Sequence, residues 1–158
     1  MKKKNIIKTG IIVAVLGILI AGAIGLYLFN MPHRDVQSAK ADYSITASAV
    51  VAEYLTNKDA ANQKYLAADG DSKILEVTGE VSKISEDFNG QKVVLLKDAA
   101  EKAGVSATFT PETNANAATL KVGQTATVKG VIRSGAAFDS DLELYENVIL
   151  EKSDIVTK

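Results

Sequence analysis

The sequence predicts a β-class domain with accessory helices: a five-stranded Greek-key barrel behind one transmembrane helix and a short helical segment. Three observations predict it. Residues Gly10 to Phe29 form an uncharged apolar run of 20, preceded by Lys2, Lys3, Lys4 and Lys8. From Lys73 onward the apolar residues recur with period two, the signature of half-buried strands. Between the third and fourth of these strands, Thr110-Pro111 opens a short helical stretch.

A helix rising ~1.5 Å per residue covers ~30 Å over the apolar run, the thickness of a bilayer's hydrocarbon core. The lysines lie on one flank, and the other opens with Pro32, His33, Arg34 and Asp35. The positive-inside rule then puts the N-terminus in the cytoplasm and the domain outside, periplasmic in a Gram-negative cell. A cleaved signal peptide is the competing reading, since Ala21-Gly22-Ala23 fits a small-x-small cleavage site. The run continues apolar through Ile24, Leu26, Leu28 and Phe29, which favours a retained signal-anchor. Gly17, Ala21 and Gly25 share one helix face, a spacing that lets two membrane helices approach or that simply reflects the small residues common in such helices. The expected division is a basic tail (1–9), an anchor (10–29), a linker (30–41), a helical extension packing on the barrel (42–70) and the barrel itself (71–152).

Within the extension, Thr46 reads as an N-cap and Val50, Val51, Tyr54 and Leu55 as the buried stripe. Asp59 is expected to cap a second helix with Ala61, Tyr65 and Leu66 inward, closed by the turn Asp69-Gly70-Asp71. The first long strand carries Leu75, Val77, Gly79 and Val81, then slips so that Ile84 is the next apolar position. A slip beside a glycine suggests a bulge or bend. Asn89-Gly90 marks a hairpin into Lys92–Lys97, apolar on both faces and therefore central. Val105, Ala107 and Phe109 make the third strand. Thr110 and Pro111 are read as N-cap and first turn of a helix running toward Leu120. Ala126, Val128, Gly130 and Ile132 make the fourth strand, and Leu142, Leu144, Val148 and Leu150 the fifth. Five strands with a helix between the third and fourth is the order of an OB-fold, in which that helix plugs one end of the barrel.

With that order in place, the chain resembles the tRNA-anticodon-like OB-fold family of envelope proteins (tRNA_anti-like) over roughly Pro32 to Glu151. The matching segments are Asp42-Tyr43, Ala60 to Leu66 (AANQKYL), Glu76 to Val81 (EVTGEV), Val128-Lys129-Gly130 and Asp141 to Ile149 (DLELYENVI). These motifs are structural, so the resemblance implies the fold more than an activity. Family members often carry a cysteine in the late strands; this chain has none, which removes any thiol-based role. The family's name reflects likeness to anticodon-binding barrels, and an exported domain would not meet tRNA.

Composition excludes several functions. Without cysteine there is no disulfide, thiol nucleophile, thiolate metal site or lipidated N-terminal cysteine. After Pro32 there are 14 basic and 19 acidic residues, a net of about −5, a poor match to nucleic acid or an anionic surface. His33, the one histidine, sits in the linker, where nothing supports a Ser-His-Asp site. Asp69, Asp71 and Glu80 match three EF-hand ligand positions, but Lys73 and Ile74 stand where a ligand and the turn glycine belong, so that site is rejected. Asp139, Asp141 and Glu143 form a weak cation candidate whose plainer reading is a solvated acidic turn. No catalytic set is found and no cofactor is expected.

OB-folds bind ligands across their second and third strands, rimmed by the loops joining strands one–two and four–five. Each of those loops here carries one phenylalanine, Phe88 and Phe138. The pair either clamps a ligand, with Lys92 and Arg133 nearby, or folds over the barrel mouth. The expectation is a membrane-anchored, extracytoplasmic, non-catalytic binding module that recognises a protein or peptide partner. Alternatives are single-stranded nucleic acid or oligosaccharide on the same face, and a purely structural spacer.

Overall fold

The computed structural model describes residues 2–29 and 35–157, with side chains from 13 to 27 and from 35 to 157. The chain divides into two compact units, Met1–Arg34 and Asp35–Lys158. The first holds the 28-residue helix α1 (Lys2–Phe29). Its described large apolar side chains, Val13 to Tyr27, are exposed. Among the described residues no helix is long and apolar enough to cross a membrane. Pro32 and His33 lie outside the described residues.

The second unit is mostly β and begins with β1 (Tyr43–Thr46), α2 (Ala47–Thr56) and α3 (Lys58–Tyr65). Thr46 caps α2 as expected, accepting the Ala49 N–H at 3.2 Å. Val50, Val51 and Tyr54 are buried, whereas Leu55 faces solvent. The α3 cap differs from expectation. Asn57, not Asp59, accepts the Ala60 N–H, because α3 begins one residue beyond α2 and leaves Asp59 in its first turn.

The barrel is built from β2 (Ile74–Glu86), β3 (Lys92–Leu96), β4 (Val105–Phe109), β5 (Thr125–Ser134) and β8 (Val148–Ile155). The strand order is β2-β3-β4-β8-β5, and β5 pairs back onto β2 to close it, the OB arrangement. The 13-residue β2 belongs to both sides: its first half pairs with β5 and its second with β3. The ladder slips between Val81 and Lys83, where the sequence pattern slips. Gly79 permits the bend by letting β2 pass close to its neighbours: a Cβ there would lie 3.0 Å from the Ala47 Cβ and 3.1 Å from the Leu96 Cβ.

Three further elements depart from the sequence reading. β1 is a strand that adds parallel to β2, with Tyr43 opposite Leu75 and Thr46 opposite Thr78. The helix between β4 and β5 is one turn, α4 (Asn114–Ala117), not a helix from Thr110. Thr110 instead takes part in a turn, accepting the Asn114 N–H through its carbonyl, while Ala117 and Leu120 still close the core. Leu142 and Leu144 are not part of the last strand. Leu142 is in a turn, and Leu144 starts β7 (Leu144–Glu146), which pairs with β6 (Ala137–Asp139) as a separate hairpin. Asn147 ends that hairpin by accepting the Gly104 N–H at 2.8 Å.

One core cluster joins barrel and helices, with Tyr54, Tyr65, Phe109, Leu96, Ile132 and Leu150 fully buried.

Candidate binding face

The hairpin between β2 and β3 is organised by one side chain. Asp87 Oδ1 accepts the backbone N–H groups of Asn89 (2.8 Å) and Gln91 (2.9 Å). Gly90 takes φ +77, a value that favours glycine, and its N–H donates to the Asp87 carbonyl at 3.1 Å. Asn114 of α4 braces the strand behind it, donating to the Gly90 carbonyl and accepting the Lys92 N–H. On this rigid tip Phe88 is fully exposed.

Alternation along β3 and β4 buries Val94, Leu96, Val105, Ala107 and Phe109 and turns Val93, Leu95, Ser106 and Thr108 outward. Beside the hairpin the outer surface dips into a polar pocket of about 370 Å³ lined by Asp87, Asn89, Gln91, Thr108, Thr110 and Lys152, among others.

Phe138 sits on the other hairpin. It is directly opposite Tyr145, its ring 4.8 Å from the Tyr145 ring and about half exposed. Lys102 lies 5.2 Å above the other aromatic of the pair, Tyr145, and reaches its hydroxyl at 3.3 Å. The register fixes the relation between the two aromatic loops. Val93 at the Phe88 end pairs with Thr108, and Val105 at the other end pairs with Val148 after the β6–β7 hairpin. The loops therefore flank opposite ends of β4, a strand about 13 Å long at ~3.3 Å for each of its residue steps.

The basic candidates are already paired. Lys92 Nζ holds Glu86 Oε2 at 2.7 Å across β2 and β3, and Arg133 Nε holds Glu151 Oε2 at 2.7 Å across β5 and β8; Lys92 and Arg133 themselves lie on strands that do not pair, β3 and β5. Asp139 Oδ1 accepts the N–H groups of Asp141 and Leu142, and among the described residues no three carboxylate or imidazole groups gather around one point. Gly17 and Gly25 lie on α1 with nothing within 4 Å of a Cβ built on either.

One cluster went unread in the sequence. Lys64 Nζ donates to both oxygens of Glu53 (3.0 and 2.8 Å), and the Tyr65 hydroxyl donates to Glu53 Oε2 at 2.9 Å. Lys64 also stands 4.7 Å over the Tyr65 ring and 5.1 Å over the Tyr43 ring. The Lys64 bond, ahead of the Tyr65 hydroxyl, holds the Glu53 carboxyl below its ordinary 4.5, and the Glu53 bond raises Lys64. Burial, then the nearby Tyr65 and Glu53, pushes Tyr54 up to about 12. The cluster ties α2 to α3 beside a shallow groove of about 530 Å³ floored by Ala49, Ala52, Ala60 and Ala61.

The pH consequence has a definite sign. Glu53 ionises more readily folded than unfolded, so its contribution is present above its ordinary value and lost as pH falls through the lower folded one. Tyr54 loses its proton less readily when folded. Its contribution is complete below 10 and lost as pH rises toward about 12. Urea midpoints measured across pH should therefore fall at both extremes. Glu53→Gln should flatten the acid side and Tyr54→Phe the alkaline side.

A closed five-stranded barrel with accessory helices and an aromatic-rimmed outer face defines a binding domain of the tRNA-anticodon-like OB class. The chain belongs to the tRNA_anti-like family, whose sequence model matches residues 1–141. Among solved structures it is similar to a Klebsiella pneumoniae protein described as a "putative nucleic acid-binding lipoprotein". That similarity has a TM-score of 0.53 and 20% identity, and covers 80% of this chain and 100% of that one, so it bears on fold alone. Comparison with curated proteins gave no match.

Proposed function

We propose that this protein is a non-catalytic binding module held outside the cytoplasm by an N-terminal membrane helix, and that it takes a protein or peptide partner along the outer face of β3 and β4. The observation that carries the reading is Phe88, a whole aromatic side chain held in water on a rigid tip. A ring so placed contributes nothing to folding and offers large apolar area to a partner at little entropic cost. The partly buried Val93 and Leu95 and the half-exposed Phe138 continue the apolar path. For the anchor, support comes from the uncharged run 10–29, the flanking lysines and the exposed apolar side chains of α1. In this reading residues 1–9 are cytoplasmic, 30–41 link, 42–70 brace and 71–152 form the barrel.

Single-stranded nucleic acid is the second reading. The aromatic loops suit base stacking, and the Klebsiella relative's description points the same way. Against it stand the acidic balance and the ion pairs already made by Lys92 and Arg133.

Photocrosslinking in intact cells, with the reactive group at Phe88 and separately at Phe138, tests the first reading. A discrete protein adduct from both positions is expected. Absence of any adduct, with a surface control crosslinking normally, would sink it. Phe88→Ala should abolish the Phe138 adduct while changing stability by no more than ~0.5 kcal/mol. Salt-dependent, tight capture of a single-stranded oligonucleotide by the full chain would reverse the ranking of the two readings.

A further inference from the structure

The same hairpin carries a reactive position. We propose that Asn89 is a site of spontaneous backbone cyclisation and deamidation, which converts the tip beside Phe88 from one carboxylate to two.

The chemistry needs three things. The backbone nitrogen after an asparagine must reach its side-chain carbonyl carbon; no Cβ may block that approach; and the carboxamide must be free to turn. Asn89 is the one asparagine of the chain followed by glycine, and Gly90 brings no Cβ to the encounter. Both residues are exposed. Asn89 uses its backbone N–H on Asp87, and among the described residues no hydrogen bond holds its side chain. None of the chain's other asparagines precedes a glycine, and those whose side chains are described are held in a further way. Asn57, Asn114, Asn116 and Asn147 have their carboxamides engaged, by the Ala60 N–H, the Lys92 N–H and Gly90 carbonyl, Asp154, and the Gly104 N–H respectively. Asn62 is followed by Gln63 inside α3, where the backbone is held in a helix.

The step balances without a co-reactant other than water. The Gly90 nitrogen loses its proton and bonds to Asn89 Cγ; the Cγ–Nδ2 bond breaks and ammonia leaves with a proton from solvent. The resulting five-membered imide is then opened by water at either carbonyl. One opening gives aspartate, and the other gives isoaspartate, whose backbone is longer by one carbon. The Gly90 N–H now bonded to the Asp87 carbonyl must first release, so a transient opening of the turn gates the reaction.

Both products add a negative charge next to Asp87 and Glu86. Isoaspartate also moves the backbone on which Phe88 stands. On the binding reading above, the change alters the loop that meets the partner. The modification itself rests on the hairpin alone, so its failure and the failure of that reading are separable.

The test is peptide mapping of the full chain after incubation at mildly alkaline and mildly acidic pH. Cleavage after Lys83 and Lys92 isolates Ile84–Lys92, in which Asn89 is the one asparagine. The expected result is loss of this peptide into two separable products, each heavier by the exchange of an amide for an acid. Loss should be faster at alkaline pH and precede any change at the other asparagines. Asn89→Gln should abolish the products, and Gly90→Ala should slow them. If the folded chain keeps the peptide intact while urea-unfolded chain converts it, the Asp87 turn protects Asn89 and the proposal is overturned. Conversion of another asparagine first would overturn it equally.

Discussion

Tyr65→Ala is expected to cost about 3–5 kcal/mol of folding stability, the range for removing a large buried aromatic ring. Tyr65 is fully buried, and three contacts converge on it. It stacks on Tyr54 at 6.0 Å, meets the Tyr43 ring edge-on at 5.3 Å and carries Lys64 over its face. Its hydroxyl also donates to Glu53. Tyr65→Phe keeps the ring and loses only that bond, so it should cost ~1 kcal/mol. Urea unfolding of both variants separates ring from hydroxyl. A cost near 1 kcal/mol for the alanine variant would mean that α2 and α3 are appended to the barrel instead of sharing its core.

Gly135→Ala should be nearly as damaging, although it adds one methyl group. A Cβ at position 135 would fall on the Cε1, Cδ1 and Cζ atoms of Tyr54. Tyr54 cannot yield easily, because it is buried and stacked on Tyr65. Overpacking of this kind costs about 1–3 kcal/mol, and the ring must leave its rotamer or the β5–β6 connection must lift. Combining Gly135→Ala with Tyr54→Leu should cost less than the sum of the two, since the smaller side chain vacates the collision. Strict additivity in urea titrations would show that the glycine is needed for some other reason. Tyr54→Phe makes a useful companion. The Tyr54 hydroxyl is buried with no hydrogen-bond partner among the described residues, so removing it should be neutral or stabilising.

The sequence disclosed those parts of the fold whose causes are local. Period two from Lys73 onward marked β2, and the misplaced Ile84 marked the slip between Val81 and Lys83. Asn89-Gly90 placed the hairpin, and Thr46 placed the start of α2. What escaped depends on distant partners. Tyr43–Thr46 is only four residues long and mostly exposed; it is a strand because Leu75–Thr78 offers a parallel edge some 30 positions later. Leu142 and Leu144 continue the alternation of the last strand on paper. Asp139 instead folds the loop onto itself, and Asn147 ends the small hairpin on Gly104. The candidate face was legible in its aromatic positions but not in its geometry. Residue types cannot tell that Phe138 has a ring to rest on and Phe88 has none, or that Lys92 and Arg133 are already neutralised. The Glu53–Lys64–Tyr65 cluster spans two helices, so no helical spacing within one of them could announce it.

The parallel pairing of β1 bears on how the domain responds to tension. A pull arriving from the N-terminal side reaches β1 through a segment stitched to the barrel. Gln37 donates to the Lys152 carbonyl, Lys129 donates to the Gln37 carbonyl, and Asp42 and Ile74 exchange two hydrogen bonds. Because β1 and β2 run the same way, drawing β1 backward while the rest of the chain resists slides one strand along the other. The rungs are then loaded together in shear, where an antiparallel edge strand would peel off one bond at a time. Force applied through the N-terminus would therefore meet its strongest resistance at the first strand, so that the barrel behind it keeps its shape under load.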